Sequence, residues 1–135
     1  MADETGDRGD TLTGVWNGQF DYPAALKPVH FVATLIDMAG RLSGTTHETG
    51  ADGRGVASRL ATIDGACSGA NVRFLKVYSP ASEEYQDVIY DGALNADRTE
   101  ISGTWSIPGE WSGSFLMIRA GKQAKARSRR KRASV

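Results

Sequence analysis

Four side chains in this sequence could form a polar group inside an otherwise apolar site: Glu48, Lys76, Tyr78 and Tyr90. Each lies in a segment with two-residue periodicity, which places alternate side chains on one face of a strand. Glu48 shares its face with Leu42, and Lys76 lies between Phe74 and Tyr78 on another. If these faces point inward, a carboxylate, an ammonium and two phenols converge in an apolar cavity, as small-molecule recognition requires.

A second arrangement places Glu48 and Lys76 at the solvated rim of the cavity, while Tyr78 and Tyr90 fill the core. The composition rule favours this rim arrangement, because Lys and Glu are seldom fully buried. Against it, a buried Glu48–Lys76 pair would relieve the cost of burying either charge alone. An error of one residue in register would turn all four side chains outward. The sequence leaves both arrangements open.

The elements that would position these residues are short strands separated by turn residues. No helical pattern long enough for a crossover separates them, so neighbouring strands should run antiparallel in a meander. Eight strands are predicted, over residues 12–20, 29–37, 41–48, 59–67, 72–78, 86–94, 100–106 and 111–119.

The glycine positions further predict that the sheet is strongly curved. The chain has 16 glycines, and six of them follow an apolar residue and a small or acidic one within a strand: Gly14, Gly44, Gly65, Gly92, Gly103 and Gly113. Glycine inside a strand is costly unless the sheet bends sharply or another backbone approaches closely. The pattern favours an all-β fold, an eight-stranded antiparallel up-and-down β-barrel, over an open sandwich.

Aromatic residues supply most of the bulk on the predicted inner faces. With Thr46 and the four polar residues they complete the candidate ligand-binding set: Trp16, Phe20, Phe31, Phe74, Trp105 and Phe115. An eight-stranded barrel is either filled by side chains or just wide enough for one small ligand. The sequence leaves open which of these applies.

Charge divides the chain into unlike parts. Residues 1–120 carry 9 basic and 16 acidic side chains, a net charge of −7, whereas the residues from Lys122 onward carry +7. We expect a flexible acidic arm over 1–10, a barrel domain over 11–120 and a disordered basic tail over 121–135. The tail, Lys122 to Arg132, could bind polyanions weakly and without sequence preference, although it lacks interleaved aromatic residues for base stacking.

Cysteine and histidine are too few for a disulfide framework or a metal centre. Cys67 is the single cysteine, and His30 and His47 are the only histidines, with no third metal ligand suggested. The N-terminus lacks the apolar stretch of a signal peptide, and no segment reaches the length of a membrane span. We therefore expect a cytoplasmic protein that binds no metal and has no membrane partner.

Short motifs resemble those of calycins, the group of lipocalin-like and avidin-like barrels. Gly14-Val15-Trp16 matches the Gly-x-Trp that closes one end of such barrels, and residues 40–46 and 111–115 resemble two avidin strands. The start of the chain, with Tyr22-Pro23, is also similar to nitrobindin-like haem barrels. The resemblance implies an up-and-down barrel that holds a ligand in its interior.

Two ligands known in those groups are not expected here. Avidin-type proteins carry a ligand-binding Asn two residues after the motif Trp, where this chain has Gly18. The ligand-facing Tyr and Ser of the avidin hairpin correspond to Thr46 and Glu48. Haem of the nitrobindin kind needs a His near the C-terminus, and none follows His47. Neither biotin nor a haem cofactor is predicted.

Three functions are compatible with these observations. The first is a binding module that holds a small, largely apolar ligand inside the barrel. The second is a homo-oligomeric interaction protein, in which the strand over residues 29–37, apolar on both faces, forms the contact. The third is a small cyclase or isomerase with Glu48 beside Lys76 or Tyr78 as an acid–base pair. The first is preferred; no catalytic motif supports the third.

Overall fold

A computed structural model of the chain describes residues 11–23, 27–49, 58–79 and 86–121. Within them, eight strands form a closed barrel in which each strand pairs antiparallel with its sequence neighbours and β8 closes on β1. The predicted up-and-down barrel is confirmed. The strands are β1 (Gly14–Asp21), β2 (Val29–Met38), β3 (Arg41–Thr49), β4 (Ser58–Ser68), β5 (Asn71–Ser79), β6 (Val88–Leu94), β7 (Glu100–Ile107) and β8 (Trp111–Arg119).

Two strands begin later than the sequence pattern predicts. β1 begins at Gly14 because Leu12 is held in place before it, with its N–H donating to Asp37 Oδ2 (2.9 Å) and its carbonyl accepting from Trp16 Nε1 (2.9 Å). β6 begins at Val88. The predicted arm over 1–10 and the basic residues 122–135 lie outside the described residues. Among those described, no helix is long and apolar enough to span a membrane.

The inner and outer faces follow the predicted alternation. In β2, for example, the odd-numbered positions from Val29 to Leu35 are buried and the even-numbered positions between them are exposed. The inner faces of all eight strands contribute to one apolar core. The inner register expected for Glu48, Lys76 and Tyr90 is therefore correct.

Glycines on the inner face make room for aromatic rings and for close strand contacts. A Cβ added to Gly18 would overlap the Phe31 ring, and one added to Gly92 would meet the Phe115 ring at 2.8 Å. Gly44 has a φ of +153°, and a Cβ there would overlap the carbonyl oxygen of Thr34 on the adjacent strand. Glycine at these positions therefore leaves room for aromatic rings, and side chains largely fill the barrel interior.

The two ends of the barrel differ. At the end where β1 starts and β8 finishes, Trp16 is fully buried, and the Arg119 guanidinium lies 5.1 Å from its ring centroid. Arg119 also donates to the carbonyl oxygens of Thr11 and Thr13, which ties the incoming chain across this closed end. At the opposite end, called the open end below, β1, β3, β5 and β7 finish.

Candidate functional site

The four polar residues singled out in the sequence form one hydrogen-bonded cluster. Lys76 Nζ donates to Glu48 Oε2 at 2.7 Å and to Tyr90 Oη at 3.1 Å. Tyr78 Oη donates to the same Glu48 oxygen at 2.5 Å. The cluster therefore consists of one ion pair with a phenol on each side of it.

Strand register explains how residues distant in sequence meet. Tyr78 on β5 is paired with Ala61 on β4, and β3 lies on the other side of β4. Because Ala61 is small, it leaves space on the inner face across which Tyr78 can reach Glu48. On the other side of β5, Phe74 is paired with Tyr90 of β6, so the Tyr90 ring lies diagonally next to Lys76.

Both charged residues are buried, and the rim arrangement favoured by composition is therefore wrong. The relative exposure is 3% for Glu48 and 1% for Lys76. The composition rule fails here because each charge has the other as its partner.

Aromatic rings surround the Lys76 ammonium. Its nitrogen lies 4.7 Å from the ring centroid of Phe20 and 5.3 Å from that of Phe31. It also lies 4.8 Å from the Tyr78 ring and 5.2 Å from the Tyr90 ring. Ring faces carry partial negative charge and attract a cation at these distances. The cluster is thus an aromatic cage occupied by the protein's own lysine.

Burial shifts the proton affinities of the cluster. It lowers the pKa of Lys76 by disfavouring the ammonium, an effect that Glu48 opposes through its charge and hydrogen bond. Burial raises the pKa of Tyr78 and of Tyr90, and the negative charge of Glu48 raises both further. Both phenols therefore keep their protons at neutral pH and remain hydrogen-bond donors.

One further polar atom inside the barrel lacks a partner. Thr46 is 1% exposed, and its Oγ1 makes no hydrogen bond within the described part of the chain. A buried hydroxyl without a partner is uncommon and costs free energy. Thr46 precedes Glu48 by two residues on the inner face of β3, so this unused hydrogen-bonding capacity lies near the cluster.

A cavity of about 270 Å³ opens above the cluster at the open end. The hydroxyl-bearing residues Tyr78 and Tyr90 belong to its wall, whereas Lys76 and Glu48 do not. Glu110 is the one charged residue of the described cavity wall. The lining residues are Phe20, Tyr22, Tyr78, Gln86, Val88, Tyr90, Trp105, Ile107, Glu110 and Trp111.

Three aromatic side chains shape the mouth of this cavity: Tyr22 directly after β1, Trp105 on β7 and Trp111 on β8. The rings of Tyr22 and Trp111 lie 5.0 Å apart at a 31° tilt, and Trp105 stands nearly perpendicular to both at 5.8 Å. Trp105 is held in place by its Nε1–H, which donates to the Asp21 carbonyl at 2.9 Å. Trp111 is 42% exposed. The mouth therefore presents an aromatic surface to solvent.

The cavity includes four of the eleven candidate ligand-binding residues: Phe20, Tyr78, Tyr90 and Trp105. Seven others do not line it; they are Trp16, Phe31, Thr46, Glu48, Phe74, Lys76 and Phe115. Tyr22 and Trp111 were not among the candidates, because they lie at strand ends where the two-residue periodicity stops. They meet only because β8 closes on β1.

The cluster is an ion pair whose groups are fixed by hydrogen bonds within the protein. Glu48 Oε2 already accepts two hydrogen bonds, and the proton of Tyr78 is committed to it. An acid–base role would require these bonds to break during turnover. As it stands, the cluster holds in place two tyrosines, Tyr78 and Tyr90, that also line the aromatic cavity, a geometry suited to binding.

Comparisons with protein-family models, with curated proteins and with solved structures gave no match to this chain.

Proposed function

We propose that this barrel binds a small, largely apolar molecule in the cavity at its open end. The observation that carries the proposal is the cavity itself, about 270 Å³ with an aromatic wall that includes Tyr22, Tyr78 and Tyr90. Small-molecule sites typically combine an apolar wall with a few placed polar groups. The sequence led us to expect a ligand in the barrel interior; because aromatic side chains and the Glu48–Lys76 pair fill the core, we propose the site near the mouth.

The volume and the shape of the cavity limit the ligand. Ligand pockets usually span roughly 300–1,000 Å³, so this cavity suits a compact molecule about the size of one substituted aromatic ring. A flat ligand could stack against Trp105 or Trp111, and edge-to-face or offset contacts between rings add to the gain from apolar burial.

The closed end supports the calycin-like part of the proposal. Trp16 plugs that end beneath the guanidinium of Arg119, and the Gly14-x-Trp16 motif is the one that suggested calycins. With one end sealed by side chains, a ligand would enter from the other. We propose a calycin-like architecture in which only the open end carries the binding function.

The experiment that tests this function is native mass spectrometry of the protein purified from its own host, compared with its denatured mass. We expect a reproducible added mass that is lost on denaturation. Val88→Phe, which fills the cavity, should remove the added mass. Ile89→Phe, on the neighbouring residue but outside the cavity lining, should keep it. Retention of the added mass by Val88→Phe, or a wild-type native mass equal to the denatured mass, would refute the site.

A second candidate function, self-association, rests on the outer surface of β1 and β2. Val15, Val32 and Ile36 are 44%, 41% and 47% exposed and lie close together on these paired strands. An exposed apolar patch of this kind is typical of an interaction site. Light scattering at several concentrations, with Val32→Lys as the disrupting variant, tests whether the barrel associates with a second copy. A strict monomer at all concentrations would remove this candidate.

A further inference from the structure

Tyr78 and Tyr90 both line the cavity but use their hydroxyl groups differently. Tyr78 donates a hydrogen bond to Glu48, so its hydroxyl proton is already used inside the protein. Tyr90 instead accepts a hydrogen bond from Lys76, and its own hydroxyl proton has no hydrogen-bond acceptor among the residues that the structure describes. A phenol whose oxygen accepts one hydrogen bond can still donate its own proton in a second hydrogen bond.

The lysine behind Tyr90 makes that donor stronger. A hydrogen bond from an ammonium to the phenol oxygen draws electron density from the O–H bond and strengthens its next hydrogen bond. Tyr90 is also locked in position, since its ring stacks on Phe74 at 4.9 Å and meets Phe115 edge-on at 4.8 Å. Because burial raises the pKa of Tyr90, the proton stays on the phenol at neutral pH.

Charge around the cavity argues against an anionic ligand. The positive charge of Lys76 is balanced by Glu48 at 2.7 Å, so the base of the cavity is close to neutral. Glu110 contributes the one charged side chain in the described wall, and it is acidic. A carboxylate or phosphate entering this cavity would lose its hydration without gaining an unpaired cation from the described residues of the wall.

We infer that the ligand is an uncharged aromatic or conjugated molecule with a carbonyl oxygen that accepts a hydrogen bond from Tyr90. The inference rests on the proposed function and adds the chemical class of the ligand. It gives Tyr90 a specificity role: the hydroxyl selects an oxygen acceptor, and the aromatic wall selects a flat apolar frame.

Three probes of nearly equal size test the inference. Acetophenone carries the carbonyl, ethylbenzene lacks it, and benzoate replaces it with a charged carboxylate. Binding is followed by the fluorescence of the tryptophans at the mouth. We expect acetophenone to bind about three- to tenfold more tightly than ethylbenzene, the range that one net hydrogen bond supplies, and benzoate to bind most weakly.

Two tyrosine variants assign this preference to one hydroxyl. Tyr90→Phe should abolish the advantage of acetophenone over ethylbenzene while ethylbenzene still binds. Tyr78→Phe, which removes a hydroxyl whose proton is already used, should preserve the advantage. In the wild type, the carbonyl stretching band of bound acetophenone should shift to lower frequency, and this measurement does not depend on the folding of any variant.

The outcomes separate the inference from the proposal beneath it. Equal binding of acetophenone and ethylbenzene, or an unshifted carbonyl band, would overturn the assignment of Tyr90 and leave the cavity as an apolar binding site. Tightest binding by benzoate would overturn the uncharged ligand class. Failure of all three probes to bind at millimolar concentration would overturn both the inference and the binding site.

Discussion

Replacing Lys76 with Met should destabilise the barrel by about 3–5 kcal/mol, the usual cost of leaving one partner of a buried ion pair uncompensated. Lys76 and Glu48 are 1% and 3% exposed, and their side-chain atoms approach to 2.7 Å. In Lys76→Met, the Glu48 carboxylate would stay buried with the Tyr78 hydroxyl as its remaining hydrogen-bond donor. A solvated surface pair, by contrast, would contribute roughly 0–1 kcal/mol.

A double-mutant cycle separates the interaction energy of the ion pair from the loss of side-chain packing in each single variant. Glu48→Gln alone leaves the ammonium buried without a counter-charge and should also be strongly destabilising. In Lys76→Met/Glu48→Gln both charges are absent, and the Gln carbonyl can still accept from Tyr78. The double variant should therefore be less destabilised than the sum of the single variants, with a coupling energy of about 2–3 kcal/mol.

Urea unfolding at neutral pH, followed by tryptophan fluorescence, measures these free energies from the midpoint and the slope. Arg41 and Asp64 provide a matched control, since they form an exposed pair at 3.0 Å on the outer surface. The same cycle on that pair should give a coupling near zero. Additive effects at Lys76 and Glu48, or a loss below about 1 kcal/mol in Lys76→Met, would show that the pair is solvated and that the burial argument is wrong.

Three further predictions concern other parts of the chain. Of the four tyrosines, Tyr78 and Tyr90 should ionise only on unfolding, because their pKa is raised in the folded protein. Their contribution to stability is therefore present below about pH 10 and lost above it. The absorbance of ionised tyrosine, followed during alkaline titration, measures this. Gly18→Ala should cost about 1–3 kcal/mol, since the Phe31 ring must move; unchanged thermal stability would contradict that packing. The segment Lys122–Arg132 should bind heparin with an affinity that falls steeply with salt, and serine at its basic positions should abolish binding; salt-independent binding would refute this.

The fold was accessible from the sequence because its signals are local. Two-residue alternation assigns each side chain to a face, and turn residues mark where a strand ends. The same parity that put Trp16 inside also put Lys76 and Tyr90 inside, and the structure agrees. Inner-face glycines such as Gly44 indicated a tightly curved sheet before any long-range contact was known.

The candidate site was only partly accessible, because periodicity gives the face of a residue but not its height along the barrel axis. Height depends on the stagger between strands, which closure of the whole barrel determines. Because the height of Glu48 along the barrel axis could not be predicted, its residue type favoured a solvated position at the rim. In the structure, Tyr78 reaches Glu48 across β4 in the barrel interior.

From the sequence alone, the eight strands and their order could be predicted, since each depends on neighbouring residues; the inward face of the polar residues depended on a register that the sequence left open. The tertiary structure decided three things that depend on distant ones: the burial of the Glu48–Lys76 pair, the filling of the interior by rings, and the position of the cavity at one end. The physical reason is that β8 must pair with β1 before Trp111 can meet Tyr22, and no local pattern encodes that contact.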